Sequence, residues 1–503
     1  MNQLKAGAVL NYVVLGLNTL VGLAYTPYML RMLGQSEYGL YALAASLIAY
    51  LALLDCGFGN AIIRYTAKYR AEGKTEEQYS LFGLFTVLYT GIGILTLAAG
   101  AVLFFHVDSI FGDTLTAIEL ERARTILLLM ILNLAVTFPL SIYGAIITAY
   151  EDFVFLRVVQ IVRILLNTAV MICLLSMGYK ALTMVVVQTV FNIATLLLNY
   201  IYCKHKIHIR IKFRRVEWGF FREVAIYSFW IFLNAIMDSI YWSTGQFVLG
   251  ATVGTVAVAV FAVAIQLQSM YMSFSGGVSS VFLPRVTAMV ASQCSHQSIS
   301  ELFIRVGRVQ YIVMAFILSG FIVFGQQFIK LWAGTDYSES YIIALLFFIP
   351  LTVPLIQNLG ITILQARNQM KFRSLLYIFI ALGSLALQIP LAKHYGGVGC
   401  AIAIAGALTL GQGLIMNIYY QRVQRIDIYA FWREIAKMSL VPLVICCITF
   451  VATHYIEFNT IPRLAGGIFI FSLVYLPLFW RFGMNQYERE LLWSPIKKLI
   501  KLI

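Results

Sequence analysis

Long apolar runs separated by short polar segments make up most of the chain. One of them, residues 38–58, follows the polar turn 34–37 and ends near Asp55, with Arg64 and Lys68 shortly beyond it. A run of about 20 apolar residues is long enough to cross a bilayer as a helix. A carboxylate near the end of such a run, followed by basic residues at helical spacing, is typical of a membrane–water boundary. The pattern therefore predicts a transmembrane helix over residues 38–58.

The same pattern recurs along the whole chain. It predicts an all-α, polytopic membrane protein with about 14 transmembrane helices. The first apolar run continues from Ala6 past Leu30 without an Ala-x-Ala site, so we expect a retained helix rather than a cleaved signal peptide. The predicted spans are 7–30, 38–58, 80–105, 124–148, 158–177, 181–202, 223–248, 255–279, 309–330, 341–364, 374–392, 398–420, 434–453 and 464–481.

The spacing of the predicted helices suggests two related halves. A shift of about 220 residues places Gly34 on Gly254 and Gly57 on Gly277. Repeats of six helices are parallel, and such repeats occur in transporters that work by alternating access. The predicted domains are an N-terminal six-helix lobe (1–202), a basic cytoplasmic linker (203–222), a C-terminal six-helix lobe (223–420), and two extra transmembrane helices with an amphipathic cytoplasmic tail (421–503).

Composition supports the membrane class. The 503 residues are 61% hydrophobic and only 12% charged, with a mean hydropathy of +0.84, whereas a soluble domain is about 25% charged. The net charge of +14 would suit nucleic acid, but the positions of the basic residues favour a membrane explanation. About 28 of the 36 Lys and Arg residues lie on the side of the membrane that holds both predicted termini. The positive-inside rule therefore predicts cytoplasmic termini, and nucleic acid is not expected as a partner.

Enzyme motifs are missing from the sequence. It contains no phosphate-binding Gly-rich loop ending in Lys-Ser/Thr and no His-Glu-x-x-His, and its six histidines are scattered. The seven cysteines show no Cys-x-x-Cys spacing, and the longest outward loop, residues 106–118, is too short for a catalytic domain. We therefore expect no enzyme activity, no cofactor and no metal. The site must be sought among polar groups inside the predicted spans, where such groups are costly and face the interior.

Arg163 is the most prominent of these polar groups. It lies in the fifth predicted span with Gln160 at i−3 and Asn167 at i+4, and Arg157 continues the same face toward the cytoplasmic end. One interpretation is a cationic stripe that enters a cavity and binds a diphosphate-linked lipid through charge-assisted hydrogen bonds. The alternative is an arginine that extends its head group to the interface.

Asp238 is the main acidic candidate. Asn234, Asp238, Tyr241 and Trp242 follow one another at helical spacing in the seventh predicted span and form a polar–aromatic stripe. Such a surface suits a sugar chain or an amphipathic ligand, and Asp238 is also the candidate for a coupling proton or sodium ion. The alternative is an interfacial residue among aromatic belt neighbours.

Further basic residues lie near the predicted cytoplasmic mouth. Arg64 follows the second span, and Arg285, after Pro284, is its counterpart in the second half. They either load an anionic headgroup or anchor the protein by the positive-inside rule. On the outer side, Glu37 is expected to form a local ion pair or a helix cap. Pro350 and Pro354 predict a kink in the tenth span.

The segments LGQSEYGLYALA and DCGFGNAIIRY resemble the N-terminal signature of the Wzx-type polysaccharide-biosynthesis flippases. These O-antigen and capsule repeat-unit transporters belong to the multidrug/oligosaccharidyl-lipid/polysaccharide exporter superfamily, which also includes MATE-type multidrug extruders and the lipid II flippase. The matching residues are Leu33, Gly34, Glu37, Tyr38, Gly39, Leu40, Tyr41, Gly57 and Arg64.

The resemblance implies a MATE-like bundle with a central cavity in the bacterial plasma (inner) membrane. It implies a flippase that moves an undecaprenyl-diphosphate-linked oligosaccharide from the cytoplasmic to the outer leaflet for surface polysaccharide assembly. The implied partners are this lipid-linked oligosaccharide, bilayer lipids, and a polysaccharide polymerase with its chain-length machinery. Two alternatives remain open, namely a multidrug or cation extruder of the same fold and a membrane glycan polymerase or ligase.

Overall fold

The computed structural model describes residues 3–213, 218–292, 294–367, 369–454, 456, 458–491 and 493. Over these residues the chain forms helices and short connections, without a β-strand. The α-helices are α1 (Gln3–Ala52), α2 (Phe58–Ala71), α3 (Thr75–Phe111), α4 (Ala117–Ala149), α5 (Phe153–Ser176), α6 (Ala181–Tyr202), α7 (Trp218–Trp242), α8 (Thr244–Thr252), α9 (Thr255–Ala291), α10 (His296–Trp332), α11 (Ser340–Ile356), α12 (Leu359–Ala366), α13 (Lys371–Leu408), α14 (Met416–Arg422), α15 (Ile428–His454) and α16 (Ile461–Leu478). The all-α, polytopic class is thereby confirmed.

Ten helical segments of the described residues are long and apolar enough to cross a membrane, or eleven if the bent pair α11–α12 is one span. Two of these segments, Val9–Ala71 and Lys371–Arg422, are 63 and 52 residues long. At about 1.5 Å per residue, each is more than twice as long as a bilayer core requires. Each covers two of the spans expected from hydropathy, but the total of 14 stays a prediction.

Breaks in the long helices occur where the sequence supplies glycine or proline. Gly34 in α1 has φ 76° and Gly396 in α13 has φ 56°, a left-handed conformation that glycine adopts readily. Between α11 and α12 the helix axis bends by 45°. Pro350 and Pro354 lie in the turns before this bend, where proline removes a backbone hydrogen bond and clashes with the preceding turn. The predicted kink in this region is confirmed.

Contacts divide the chain into two compact units. The first comprises Met1–Ala262 with Ala392–Gly397, and the second comprises Val263–Leu391 with Val398–Ile503. The boundaries of the six-helix lobes stay a prediction. The predicted tail after residue 493 lies outside the described residues.

In the first unit, α4 packs against α3 and α6, and α5 packs against α1. An aromatic cluster that includes Phe58, Tyr89 and Phe138 fills the space between α2, α3 and α4. Beside this cluster, the Tyr89 hydroxyl donates to Asp55 Oδ1 over 2.6 Å. The cluster packs α4 against α2 and α3.

Glu37 ties three helices of this unit together. Its carboxylate pairs with Arg122 near the start of α4 and accepts a hydrogen bond from the backbone N–H of Ala181, the first residue of α6. A carboxylate at a helix N-terminus satisfies an otherwise unpaired N–H and favours the helix dipole. Glu37 is therefore a helix cap, as expected, although the helix that it caps is distant in sequence.

In the second unit, α10 packs against α11, α15 and α16. Its core contains an aromatic cluster, which includes Phe324, Phe458, Phe471 and Tyr475. Arg308 of α10 is buried and donates to both carboxylate oxygens of Glu488, at 2.6 and 3.1 Å, and to Glu434 of α15 at 2.9 Å. These ion pairs join α10, α15 and the segment that follows α16.

Candidate functional site

One face of α5 carries the polar residues of the site. Arg157, Gln160, Arg163 and Asn167 succeed one another at steps of three and four residues, which places them along one side of the helix. The opposite side carries exposed Val and Leu residues, as expected of a surface that meets lipid. These residues are Val158, Val162, Leu165 and Leu166. The shared face predicted from the sequence is therefore confirmed, whereas its binding role stays a prediction.

The polar face of α5 borders a cavity of about 480 Å³ inside the first unit. This volume is within the range of small-molecule sites, about 300–1,000 Å³. We call it the amide cavity, because side-chain amides from three helices dominate its polar lining. The polar lining residues are Tyr41, Asn133, Thr137, Arg163, Asn167, Gln188, Thr189 and Asn192, and the apolar ones are Ala45, Ile48, Met130, Leu134, Ile164 and Val185.

A second cavity of about 330 Å³ follows along α5 toward the N-terminus of that helix. We call it the arginine cavity, because it contains both Arg157 and Arg163. Arg163 lines both cavities, so it stands where the two meet. The lining residues of the arginine cavity are Gly144, Thr148, Phe153, Leu156, Arg157, Val159, Gln160, Arg163, Thr195 and Asn199.

Hydrogen bonds within the amide cavity connect α4 to α6 and α1 to α6. The Asn192 side-chain amide donates to Asn133 Oδ1 over 2.9 Å and to Thr137 Oγ1 over 2.7 Å. The Gln188 side-chain amide donates to the Tyr41 hydroxyl over 3.0 Å. Bonds of this kind hold transmembrane helices together, and they also orient the polar groups that face the cavity.

Other polar atoms of the cavity walls keep unused hydrogen-bonding capacity. Asn167 Oδ1 and Thr189 Oγ1 in the amide cavity are buried and have no partner among the residues that the structure describes. The same holds for Asn199 Oδ1 in the arginine cavity. Because buried polar groups are normally hydrogen-bonded, unpaired atoms in a cavity wall indicate a place for a polar ligand.

The charge of the two cavities is positive. Arg157 donates to Gln160 Oε1 over 2.8 Å, whereas Arg163 has no hydrogen-bonding or acidic partner within the described part of the chain. Neither cavity has an Asp or Glu among its described lining residues. An arginine that is removed from water needs an anion nearby. The electrostatics therefore favour an anionic ligand at the junction of the cavities.

The other predicted site residues belong to α2, α7 and α9. Arg64 is exposed on α2 and Asp238 is exposed on α7. Tyr241 is buried, and its ring centroid lies 6.2 Å from that of Trp242. None of these four residues is among the described lining residues of the two cavities. The side chains of Asn234 and Arg285 lie outside the described residues.

Sequence reasoning missed the walls that α4 and α6 contribute. On α6 the spacing of Gln188, Asn192, Thr195 and Asn199 is four, three and four, which is the same signal that identified the α5 face. On α4, Asn133 and Thr137 are four residues apart. Polar residues at helical spacing within an apolar span could therefore have indicated these walls.

A family model described as "Polysaccharide biosynthesis protein" matches residues 4–290, more than half of the chain. The uncharacterized membrane protein EpsK of Bacillus subtilis (strain 168) is 20% identical over 428 residues, which are 82% of this chain and 81% of EpsK. These findings confirm the resemblance carried by the N-terminal signature.

Solved structures show the same fold at low sequence identity. A lipid II flippase MurJ in an inward closed conformation matches with a TM-score of 0.70 and 16% identity, over 94% of this chain and 98% of that protein. An inward-facing multidrug resistance MATE family transporter of the MOP superfamily matches with a TM-score of 0.63 and 13% identity, over 83% and 95%. The MATE-like fold is therefore confirmed.

Family and fold together are those of a multi-pass integral membrane protein. The fold likeness extends beyond the part of the chain that the family model matches. The chain belongs to the polysaccharide biosynthesis protein family.

Proposed function

We propose that the protein is a flippase that moves an undecaprenyl-diphosphate-linked oligosaccharide from the cytoplasmic to the outer leaflet for the assembly of a surface polysaccharide. The family match supports a role in polysaccharide synthesis, and the named lipid II flippase shares the fold. The observation that carries the proposal is the position of Arg163, which lines both cavities and has no acidic partner among the described residues.

A diphosphate group fits this position chemically. Its oxygens accept charge-assisted hydrogen bonds, which are shorter and stronger than neutral ones, and a guanidinium can donate two of them in parallel. Arg157, which lies in the adjoining cavity, supplies a second positive charge, with Gln160 as a further donor. The diphosphate would then provide the negative charge that a desolvated arginine requires.

Loading from the cytoplasm is the second part of the proposal. If the positive-inside rule sets the orientation, the start of α5 and the arginine cavity lie toward the cytoplasm. Arg64 and Arg285 would attract the anionic headgroup to the mouth, and the membrane potential would favour its export by about 2.3 kcal/mol per charge per 100 mV. Transport would proceed by alternating access of the two predicted lobes.

Asp238 remains the candidate for ion coupling in this proposal. With Asn234, Tyr241 and Trp242 it would form a second contact surface for the glycan on α7. Interaction with a polymerase and chain-length machinery would follow from the same pathway role, because the flipped lipid-linked unit is what such machinery consumes.

The fold likeness to a multidrug transporter raises cation export as a second candidate. A site for organic cations needs carboxylates or other negative groups, because an unpaired charge is costly in a desolvated cavity. The described lining of both cavities contains two arginines and no carboxylate. This lining favours an anionic substrate over a cationic one.

Transport in proteoliposomes tests the proposal. A fluorescent undecaprenyl-diphosphate oligosaccharide would be offered to the wild-type protein, to Arg163→Ala and to Arg124→Ala, whose arginine pairs with Asp108 outside both cavities. We expect flipping by the wild type and by Arg124→Ala, and loss of flipping by Arg163→Ala at equal insertion. Equal flipping by all three proteins would move the site elsewhere. If the wild type does not flip the lipid under a membrane potential and a pH gradient, the function itself is wrong.

A further inference from the structure

The amide cavity offers chemistry that the binding of a diphosphate does not use. Its polar lining consists mainly of carboxamide and hydroxyl side chains from α1, α4, α5 and α6, and Arg163 is its one positively charged residue among those described. Carboxamides both donate and accept hydrogen bonds, as sugar hydroxyls do. The lining therefore matches an uncharged polyhydroxylated group better than it matches a second phosphate.

The order of the two cavities along α5 assigns the parts of the substrate. Arg157 and Gln160 lie on one side of Arg163, in the arginine cavity, and Asn167 lies on the other side, in the amide cavity. A diphosphate held by both arginines would occupy the arginine cavity up to the junction. The sugar bonded to that diphosphate would then enter the amide cavity next to Arg163.

From this arrangement we infer that the amide cavity is the subsite for the first sugar of the lipid-linked glycan, and that it selects an uncharged sugar. This inference rests on the proposed function. The volume of about 480 Å³ is in the range that holds small ligands. Asn167 Oδ1 and Thr189 Oγ1 supply hydrogen-bonding capacity that the described protein groups leave unused.

The selection against charge has a simple physical cause. Arg163 is the only ionised group in the described lining of the amide cavity, and the diphosphate neutralises it. A carboxylate on the first sugar would then be desolvated without a counterion, and an ammonium group would meet no carboxylate. Hydroxyl and amide substituents of the sugar would exchange hydrogen bonds with the carboxamides of Asn133, Gln188 and Asn192.

A structural role for the same residues makes a different prediction. The bonds from Asn192 to Asn133 and Thr137 could serve only to hold α4 against α6. In that case the loss of the Asn192 amide would lower stability without changing the preference among lipids that differ in their sugar. The preference ratio therefore separates the two roles.

The test measures equilibrium binding to the full-length protein in nanodiscs. The probes are undecaprenyl diphosphate without sugar, the same lipid with one neutral hexose, and the same lipid with one hexuronic acid. We expect the wild type to bind the hexose lipid about tenfold more tightly than the sugar-free lipid, as one or two net hydrogen bonds would give. The hexuronic acid lipid should show no such gain.

The variants Asn192→Leu and Thr189→Val probe the subsite. In both, the ratio of hexose-lipid to sugar-free-lipid affinity should fall toward one, more strongly for Asn192→Leu. Thr189→Val nearly conserves the shape of the side chain. The affinity ratio of this variant therefore tests the subsite even if Asn192→Leu does not fold. Arg124→Ala, outside both cavities, should keep the wild-type ratio.

The outcomes separate this inference from the proposed function. If the wild type binds all three lipids equally, or if both subsite variants keep its preference, the sugar subsite is wrong while the diphosphate site stands. If the hexuronic acid lipid binds as tightly as the hexose lipid, the selection for uncharged sugars is wrong. If the wild type binds none of the three, the proposed function fails, and the inference fails with it.

Discussion

Arg163 and Arg308 are both arginines within helices of an apolar protein, but their surroundings differ. Arg308, in the second unit, is 7% exposed and is bound by Glu488 and Glu434. Arg163, in the first unit, lines two cavities and has no acidic partner among the described residues. Both side chains carry the same charge, yet among the residues that the structure describes only Arg308 finds acidic partners.

A structural arginine and a ligand-binding arginine differ in where the opposite charge comes from. Removing a charge from water is offset only by an opposite charge and by well-placed hydrogen bonds. Glu488 is 1% exposed and Arg308 meets both of its oxygens, so this pair serves the packing of the second unit. Arg163 lines two cavities, and no described residue supplies its anion, which leaves this place to a ligand or to the solvent.

The cavities of the two units differ in the polarity of their linings. A cavity of about 620 Å³ in the second unit is bordered mainly by apolar residues of α10 and α15. The amide cavity of the first unit carries carboxamides and Arg163. The first unit therefore combines unbalanced charge with a polar lining, and it is the unit in which we place the headgroup.

The largest effect on stability is expected for Arg308→Met. It leaves Glu488 buried without a counterion, and breaking a buried pair in this way lowers the free energy of unfolding by about 3–5 kcal/mol. Unfolding by denaturant in detergent micelles measures the loss. The double variant Arg308→Met/Glu488→Met should recover much of it, because both charges are then removed. A single variant as stable as the wild type would contradict the structural role.

Arg163→Met should impair transport and leave stability unchanged. We expect transport to fall by about 10- to 100-fold, since charge-assisted hydrogen bonds are worth about 1.5–3 kcal/mol each. The thermal midpoint should not fall, because no partner among the described residues loses its charge. Proteoliposome flipping and thermal unfolding of the same preparation measure the two quantities. A drop in stability as large as that of Arg308→Met would erase the distinction between the two arginines.

The two carboxylates around Arg308 should differ in importance. Glu488→Gln removes a charge that is 1% exposed, and we expect a loss of about 1–3 kcal/mol in the free energy of unfolding. Glu434 is 28% exposed and is shared with Lys437, so Glu434→Gln should cost less than about 1 kcal/mol. Denaturant midpoints of the two variants, measured side by side, check the order. Equal losses would mean that burial does not set the strength of this cluster.

The smallest effect is expected for Arg124→Ala. Its ion pair with Asp108 is exposed, and such pairs contribute about 0–1 kcal/mol. Transport and stability should both stay close to the wild type in the assays described above. A large loss of transport would show that arginines outside the cavities also contact the substrate, and would weaken the special position of Arg163.

The polar face of α5 could be predicted because it depends on one helix. Gln160, Arg163 and Asn167 lie on one side of any regular helix that contains them. The same reasoning predicts the aromatic and acidic stripe on α7, yet Asp238 is exposed and is not among the described lining residues of either cavity. Periodicity predicts which residues share a face, but it does not predict what that face meets.

The residues of the N-terminal family signature also have roles that periodicity does not predict. Gly39 belongs to the segment that identified the family, but the reason for a glycine there is a contact distant in sequence. A Cβ atom at this position would collide with the backbone carbonyl of Thr255. Glu37 likewise caps α6, whose first residue is Ala181.

The amino-acid pattern alone predicts the membrane class, the kink near Pro354 and the shared face of α5. These properties follow from hydropathy, helical periodicity and local backbone chemistry, which act over a few turns. Only the tertiary structure decided that Arg308 is neutralised by Glu434 and Glu488 while Arg163 faces two cavities. Whether a buried charge is balanced depends on side chains from other helices, and their positions are set by packing across more than 100 residues of sequence.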